Sequence, residues 1–130
     1  MSDRELEMLY TEQIIDRYKN PRNFGELENL TAQAEDSNPL CGDVIKLQLK
    51  IESNTVIDVK YSGHGCSISQ ASADLLADFI KGRSLDEIKK LEKEDVLKIL
   101  GIEVTAARLK CAILPLKVLK LGIYGLNLKG

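Results

Sequence analysis

The residues best suited to chemistry in this chain are its three cysteines, at positions 41, 66 and 111, together with one neighbouring carboxylate. Three thiols cannot all pair as disulfides, and thiols of a cytoplasmic protein stay reduced in any case. Asp43 lies two residues after Cys41, so the sequence offers four anionic ligands in Cys41, Asp43, Cys66 and Cys111. Four such ligands can close the coordination of a zinc ion or of an iron–sulfur cluster.

The spacing of the cysteines excludes some metal sites and leaves a bland alternative open. The gaps are 25 and 45 residues, so this is not a zinc finger built from paired CxxC motifs. Taken alone, each unpaired cysteine would most often be a small buried hydrophobic residue. Glycines beside two of them (Gly42, Gly63 and Gly65) favour a ligand site, because glycine lets the backbone approach a ligand closely. The only histidine, His64, is interpreted as a solvated loop residue rather than a ligand.

Length and charge set the class of protein. The chain of 130 residues is expected to form one domain, residues 1–130, and its 44% hydrophobic and 29% charged residues are typical of a soluble globular protein. A net charge of −2 without a basic stripe argues against a nucleic-acid partner. No apolar run is long enough to cross a membrane. The N-terminus is charged and lacks a signal-peptide core, so a cytoplasmic location is expected.

The elements that must position these residues can be read from periodicity. Residues 44–62 alternate in two β-branched runs joined by a short polar turn, which predicts an antiparallel hairpin. A weaker edge strand is expected over 31–36. Each cysteine falls at a junction: Cys41 precedes a strand, Cys66 lies between a strand and a helix, and Cys111 lies early in a helix.

Helical spacing predicts the remaining elements and an α+β fold. The first helix is expected to open at a capping box of Ser2 and Glu5 and to end before Pro21. The helix after Cys66 is expected to have Ser67 or Ser69 as its cap. Its predicted buried stripe is Leu75, Leu76, Phe79 and Ile80, and its predicted stop signal is Gly82. Two helices are expected next, a short one capped by Ser84 and Glu87 and one from Lys93 to Leu100 that ends at Gly101. A last helix is expected from Thr105 toward Leu121.

Three segments around the cysteines resemble the motifs of U-type iron–sulfur cluster scaffolds, the family of NifU N-terminal, IscU and SufU proteins. They are NPLCGD at 38–43, GHGCSISQASA at 63–73 and RLKCAIL at 108–114. Residues 9–23 and 80–88 also match, so the resemblance covers nearly the whole chain. It implies an α+β fold of the SufE/NifU type, in which helices pack on a small three-stranded antiparallel sheet and the three cysteines gather at one end.

The chain combines features of two branches of that family. IscU proteins carry a histidine immediately before the third cysteine, whereas this chain has Lys110, as SufU proteins do. SufU proteins carry an insertion between the second and third cysteines, for which the 45-residue gap leaves no room. The Leu-Pro-Pro-Val-Lys motif of IscU is replaced by EVTAA at 103–107. Pro115 is expected to bend the last helix, because it lacks the N–H that would bond the carbonyl of Cys111.

The resemblance implies a scaffold function. Sulfur would arrive as a persulfide from a cysteine desulfurase, and a transient [2Fe–2S] cluster would be built with iron and passed to recipient apo-proteins. With no histidine before Cys111, the implied ligands are Cys41, Asp43, Cys66 and Cys111. The three cysteines are also the candidate persulfide acceptors, and the protein is not expected to be an enzyme.

An alternative remains open within the same family. The same four residues could hold Zn²⁺ in a zinc-dependent sulfur acceptor, a SufU-like sulfurtransferase that works with a desulfurase. A purely structural zinc domain is disfavoured, because structural sites are usually closed by Cys and His rather than Asp. Neither a nucleic acid nor a membrane is an expected partner, and a homo-oligomer stays open.

Overall fold

A computed structural model describes residues 12–38, 42–101 and 106–129 of the chain. Cys41 lies outside the described residues, as do the predicted capping box of Ser2 and Glu5 and the predicted helix start at Thr105. The described residues form three strands and five helices. They are β1 (Ala32–Asn38), β2 (Asp43–Glu52), β3 (Thr55–His64), α1 (Glu12–Lys19), α2 (Ser67–Ile80), α3 (Leu85–Lys89), α4 (Lys93–Leu100) and α5 (Ala106–Lys129).

The strands form an antiparallel sheet in the order β1-β2-β3, which confirms the predicted α+β fold with a three-stranded sheet. Ser53 and Asn54 join β2 to β3 with φ values of 50° and 62°. Two consecutive left-handed residues make a tight hairpin turn whose twist matches that of the strands. The edge strand predicted over 31–36 is β1, which continues to Asn38.

The register of the sheet brings the strand ends together. Asn38, the last residue of β1, lies opposite Asp43, the first residue of β2. Val44 lies opposite His64, the last residue of β3. One end of the sheet therefore holds the junction before β2 and the junction after β3, where Asp43 and Cys66 occur.

The hydrophobic core lies between one face of the sheet and the helices α2 and α5. Ile45, Leu47 and Leu49 alternate along β2 and are almost fully buried, which fixes the inward face of that strand. Burying one such side chain contributes about 1.5–3 kcal/mol. Helix α2 is buried around most of its surface, and its predicted stripe is confirmed at Leu75, Leu76 and Ile80, whereas Phe79 is only partly buried.

The helix boundaries correct some details of the sequence interpretation. The cap of α2 is Cys66, not Ser67 or Ser69. The Ser69 hydroxyl donates to the carbonyl of Cys66 at 3.0 Å, so it does not serve the first N–H groups of the helix. Gly82, the predicted stop signal, has φ +89° and donates its N–H to the carbonyl of Val56 at 2.7 Å, while the C-cap position falls on Lys81.

The later helices follow the sequence more closely. The Ser84 hydroxyl accepts the N–H of Glu87 at 3.2 Å and caps α3. Helix α4 ends at Gly101, which has φ +71°. Helix α5 continues to Lys129, beyond its predicted end near Leu121, and contains Pro115. None of the described helices is long and apolar enough to cross a membrane.

A buried ion pair between residues far apart in the sequence fixes α1 on α2. Arg17 Nη1 lies 2.7 Å from Asp74 Oδ2, and the Asp74 carboxylate is fully buried. Its other oxygen accepts the backbone N–H groups of Arg22 and Asn23 at 2.9 and 2.8 Å. A buried charge is tolerated only when it is paired and hydrogen-bonded, as Asp74 is here. The turn after α1 is thereby held against α2, the helix that Cys66 caps.

Asp78 also pairs with Arg17, and we expect the stabilisation from this pair to be lost in acid. Burial acts to raise the pKa of Asp78, but hydrogen bonds from Asn23 and Arg17 outweigh it, so the pKa is lowered. The resulting stabilisation is present above the unfolded pKa of about 3.9 and is lost as the pH falls through the folded pKa. We expect Asp78→Asn to lose about 0.5 kcal/mol at neutral pH, because the pair is partly exposed, and to show a shallower loss of stability in acid.

Urea unfolding at pH 7 and at several values below pH 5 measures this effect. Glu28→Gln, which neutralises an exposed carboxylate elsewhere, is the control and should leave the pH profile unchanged. An Asp78→Asn protein with the wild-type dependence on pH would show that this carboxylate does not contribute.

Candidate metal centre

Three of the four predicted ligands converge at one end of the sheet. One ligand atom from each of Asp43, Cys66 and Cys111 lies within 4.8 Å of the other two. Asp43 and Cys111 are fully buried, and Cys66 is partly buried. The fourth predicted ligand, Cys41, lies outside the described residues, two positions before Asp43 in the sequence.

Each of the three side chains is positioned by the end of a different element. Asp43 is the first residue of β2, Cys66 is the N-cap of α2 directly after β3, and Cys111 lies in the second turn of α5. Helices α2 and α5 are joined beside the site by the Ser72 hydroxyl, which donates to the carbonyl of Ala112 at 2.6 Å. The contact holds α2 against α5 next to Cys111, although 45 residues separate Cys66 from Cys111 in the sequence.

Asp43 contacts Cys66 through both of its carboxylate oxygens. The backbone N–H of Cys66 donates to Asp43 Oδ1 at 2.7 Å, and Cys66 Sγ lies 3.8 Å from Asp43 Oδ2. Around a tetrahedral zinc ion with bonds of 2.0–2.3 Å, neighbouring ligand atoms lie roughly 3.5 Å apart. The spacing of this pair is therefore close to that of two ligands on one metal ion.

Gly63 and Gly65 allow the chain after β3 to pass close to the start of β2. Both have φ values, +141° and +135°, that side chains rarely adopt. A Cβ atom on Gly65 would lie 2.1 Å from Asp43 Oδ1, and one on Gly63 would lie 2.0 Å from the carbonyl oxygen of Val44. A close backbone approach at these glycines was expected from their position beside the cysteines, but the residue that Gly65 approaches, Asp43, is identified by the structure alone.

His64 does not belong to the converging group. Its side chain is exposed, and the group of potential ligands found among the described residues contains Asp43, Cys66 and Cys111. We therefore expect His64→Ala to keep the zinc affinity of the wild-type protein within about twofold, because a surface substitution away from the ligands has little effect. Competition with a coloured chelator measures this affinity, with Cys66→Ala as the comparison that loses it. Equal losses in the two variants would assign His64 as a ligand.

Two buried side-chain amides next to the ligands are unusual. Within the described ranges, Asn38 Nδ2 and Gln70 Nε2 are the buried side-chain nitrogen atoms that have no hydrogen-bond partner. Asn38 lies opposite Asp43 in the sheet, and Gln70 lies one helical turn after Cys66. Neither residue could be singled out from the sequence, because their proximity to the site depends on the β1–β2 register and on where α2 begins.

Comparison with known proteins supports the resemblance seen in the sequence. The family profile described as NifU-like N terminal domain matches residues 9–129. The zinc-dependent sulfurtransferase SufU of Bacillus subtilis is 36% identical over 135 aligned positions, with 91% of each chain covered. The iron–sulfur cluster assembly scaffold protein IscU of Escherichia coli K12 is 35% identical over 120 positions, with 89% of this chain and 92% of IscU covered.

Solved structures agree with the fold. A candidate iron–sulfur cluster assembly scaffold of the SUF system from Fervidobacterium islandicum superimposes with a TM-score of 0.75 at 29% identity, covering 89% of this chain and 97% of its own. A NifU-like N-terminal protein from Brucella abortus has a TM-score of 0.79 at 19% identity, covering 96% and 99% of the two chains, and supports the fold alone.

The lengths of the alignments differ between the two relatives. The Bacillus alignment has 135 positions, more than the 130 residues of this chain. Some residues of the Bacillus protein therefore have no counterpart in this chain. The Escherichia alignment has 120 positions and covers almost the same share of the chain. In aligned length the chain is therefore closer to the IscU relative.

Proposed function

We propose that this chain, which belongs to the family of NifU-like N-terminal domains, is a scaffold on which iron–sulfur clusters are assembled for transfer to other proteins. The observation that carries the proposal is the convergence of Asp43, Cys66 and Cys111 at the end of the sheet. Thiolates are the usual ligands of iron–sulfur clusters, and a group with two of them and one carboxylate fits such cargo. The proposed scaffold is a single domain over residues 1–130, and it acts in the cytoplasm.

Cys41 completes the proposed ligand set. It lies between Asn38, which ends β1, and Gly42, whose N–H bonds the carbonyl of Asn38 at 2.9 Å. Since Asp43 follows two residues later, a short segment tethers Cys41 to the three converging residues. We assign the cluster to Cys41, Asp43, Cys66 and Cys111. Four monoanionic ligands around a dipositive [2Fe–2S] unit leave a net charge of −2, and the exposed Lys110 offsets part of it.

Sulfur delivery from a cysteine desulfurase follows ordinary thiol chemistry. A scaffold thiolate attacks the outer sulfur of the desulfurase persulfide, a new S–S bond forms on the scaffold, and the desulfurase cysteine leaves as a thiolate. Of the two described cysteines, Cys66 is the more accessible, because Cys111 is fully buried. Reducing each transferred sulfur to sulfide takes two electrons. One comes from a ferrous iron, which becomes ferric in the dipositive [2Fe–2S] unit, and the other comes from a separate electron-donor protein.

Asp43 is the weakest of the four ligands that we assign to the cluster. A carboxylate oxygen is a hard ligand among soft thiolates, so it binds cluster iron less firmly than a fourth cysteine would. A weaker bond suits a cluster that recipient apo-proteins must remove. Asp43 also accepts the N–H of Cys66, so it positions one thiol while it serves as the ligand of lowest affinity.

A zinc-dependent sulfur acceptor is the second candidate, and one observation favours it. The three ligand atoms lie within 4.8 Å of one another, a spacing near that of ligands on one metal ion. A [2Fe–2S] cluster distributes its four ligands over two irons, so at least one of the three side chains must move outward to bind it. In that function Zn²⁺ would protect the thiols until a desulfurase delivers sulfur. The Bacillus relative is named a zinc-dependent sulfurtransferase.

Measuring the metal and sulfide content of the protein separates the two functions. The protein is purified without oxygen and is first incubated with a cysteine desulfurase, cysteine, ferrous iron and a reductant. Two irons and two acid-labile sulfides per chain, transferred to an apo-ferredoxin, are the result expected of the scaffold. One zinc without sulfide, together with faster turnover of the desulfurase, would instead establish the sulfur acceptor. Cys66→Ala and Cys111→Ala are expected to remove either activity.

A further inference from the structure

We infer that the side-chain amides of Asn38 and Gln70 are hydrogen-bond donors to the thiolates and sulfides of the anionic metal centre. Both are more than nine-tenths buried, with exposed fractions of 8% and 7%. Within the described residues, each carries an amide nitrogen that has no partner. A buried polar group without a partner is unfavourable, so such a group in a native fold requires an explanation.

The sheet register places the Asn38 side chain beside Asp43. Residues directly opposite each other in an antiparallel pair project to the same face, with Cβ atoms about 4.5–5.5 Å apart. Asn38 and Asp43 form such a pair. The Asp43 side chain faces Cys66, as its 2.7 Å hydrogen bond shows. The amide of Asn38 therefore lies on the face of the sheet that carries the ligands.

Helical geometry places Gln70 beside Cys66. The N–H of Gln70 bonds the carbonyl of Cys66 at 3.3 Å, which closes the first turn of α2. Residues four apart lie on the same side of a helix, with Cβ atoms about 5–6 Å apart. The two amides thus approach the ligands from different elements, Asn38 from β1 and Gln70 from α2.

The chemistry of the site explains why neutral donors are suitable there. Four monoanionic ligands leave a net charge of −2 around either Zn²⁺ or a dipositive [2Fe–2S] unit, in a site whose Asp43 and Cys111 are fully buried. Hydrogen bonds to sulfur stabilise this negative charge and raise the reduction potential of a cluster. Neutral amides can donate these hydrogen bonds without adding a positive charge beside the metal. The metal-free fold then carries the cost of two unsatisfied donors, and binding of the cargo relieves it.

The inference rests on the proposed function only in that it assumes an anionic metal centre. It predicts that removing either amide stabilises the metal-free protein and weakens its binding of metal. Replacing each amide with an apolar residue of similar size, in Asn38→Leu and Gln70→Met, removes an unsatisfied group. We expect the melting temperature of the metal-free protein to rise by about 4 °C in each variant. The zinc affinity should fall by about tenfold, as is typical when a group that supports metal ligands is removed.

Gln48→Met is the matched control. Gln48 is also a buried glutamine, but its amide is satisfied on both sides: Oε1 accepts the N–H of Leu27 at 2.7 Å, and Nε2 donates to Gln33 Oε1 at 3.2 Å. Its replacement should lower the melting temperature and leave the zinc affinity unchanged. The control therefore separates the loss of any buried amide from the loss of a donor to the metal centre.

The measurements are thermal unfolding of metal-free protein by circular dichroism and zinc affinity by chelator competition. Wild-type zinc affinity in Asn38→Leu and Gln70→Met would overturn the inference. A lower melting temperature of the metal-free variants would also overturn it, because it would show that the amides form hydrogen bonds within the metal-free protein. Neither measurement uses cluster transfer. A wild-type protein that binds zinc but never assembles a cluster would reject the scaffold function and leave the inference intact, whereas full transfer with unchanged zinc affinity in the variants would reject the inference alone.

Discussion

Replacing Gly65 with alanine is expected to weaken metal binding and to destabilise the protein by about 3 kcal/mol. The added Cβ atom would lie 2.1 Å from Asp43 Oδ1 and 2.7 Å from Asp43 Cα. Side-chain rotation cannot relieve a contact with a Cα atom, so either β2 or the segment before α2 must move. Either movement separates Asp43 from Cys66 and breaks the hydrogen bond that joins them. We expect the zinc affinity to fall by at least about tenfold, since displaced ligands bind metal poorly.

Gly25→Ala provides a control with the same backbone strain. Gly25 has φ +141°, close to the +135° of Gly65, but a Cβ atom there would have no atom within 4 Å. This variant should lose about 1–2 kcal/mol from strain alone and should keep the wild-type zinc affinity. Urea unfolding and chelator competition on both variants measure the two effects. Equal zinc affinities in Gly65→Ala and Gly25→Ala would show that the approach of Gly65 to Asp43 does not shape the site.

The comparison of sequence and structure shows why some features were predictable. The hairpin of β2 and β3 follows from alternating residues and a two-residue turn, and both signals are local in the sequence. The cap at Ser84 and the stop at Gly101 are local signals too, and both are confirmed. The end of α5 was missed because residues after Leu121 continue the helix without a stop signal that would mark the boundary.

Long-range features required either the family resemblance or the structure. The spacing of the cysteines alone gave a weak metal signal, and the motifs around them made it specific. The convergence of Asp43, Cys66 and Cys111 depends on the strand register and on the contact between α2 and α5, neither of which periodicity reports. The buried Arg17–Asp74 pair joins residues 57 positions apart, so no local pattern could indicate it.

Replacing Asp43 with cysteine is expected to slow the transfer of a cluster to an apo-ferredoxin by about tenfold or more, because a soft thiolate holds iron more firmly than a hard carboxylate. A recipient thiolate attacks most easily where the outgoing ligand is weakest, and in the wild-type protein we assign that ligand to Asp43. The structure adds a second effect, since the shorter cysteine side chain cannot accept the N–H of Cys66 as Asp43 Oδ1 does. The variant should therefore load more slowly and release more slowly.

Asp43→Asn separates these two effects. Asparagine keeps an oxygen that can accept the N–H of Cys66 but lacks the negative charge that binds iron, so it should load a less stable cluster and transfer it no more slowly than the wild type. The absorbance of the recipient, followed without oxygen after equal loading of each protein, measures the transfer rate. An unchanged or faster rate from Asp43→Cys would show that Asp43 does not control release. In that case the weight would pass to the zinc-dependent acceptor, because that function needs the carboxylate to hold Zn²⁺ and involves no release of a cluster.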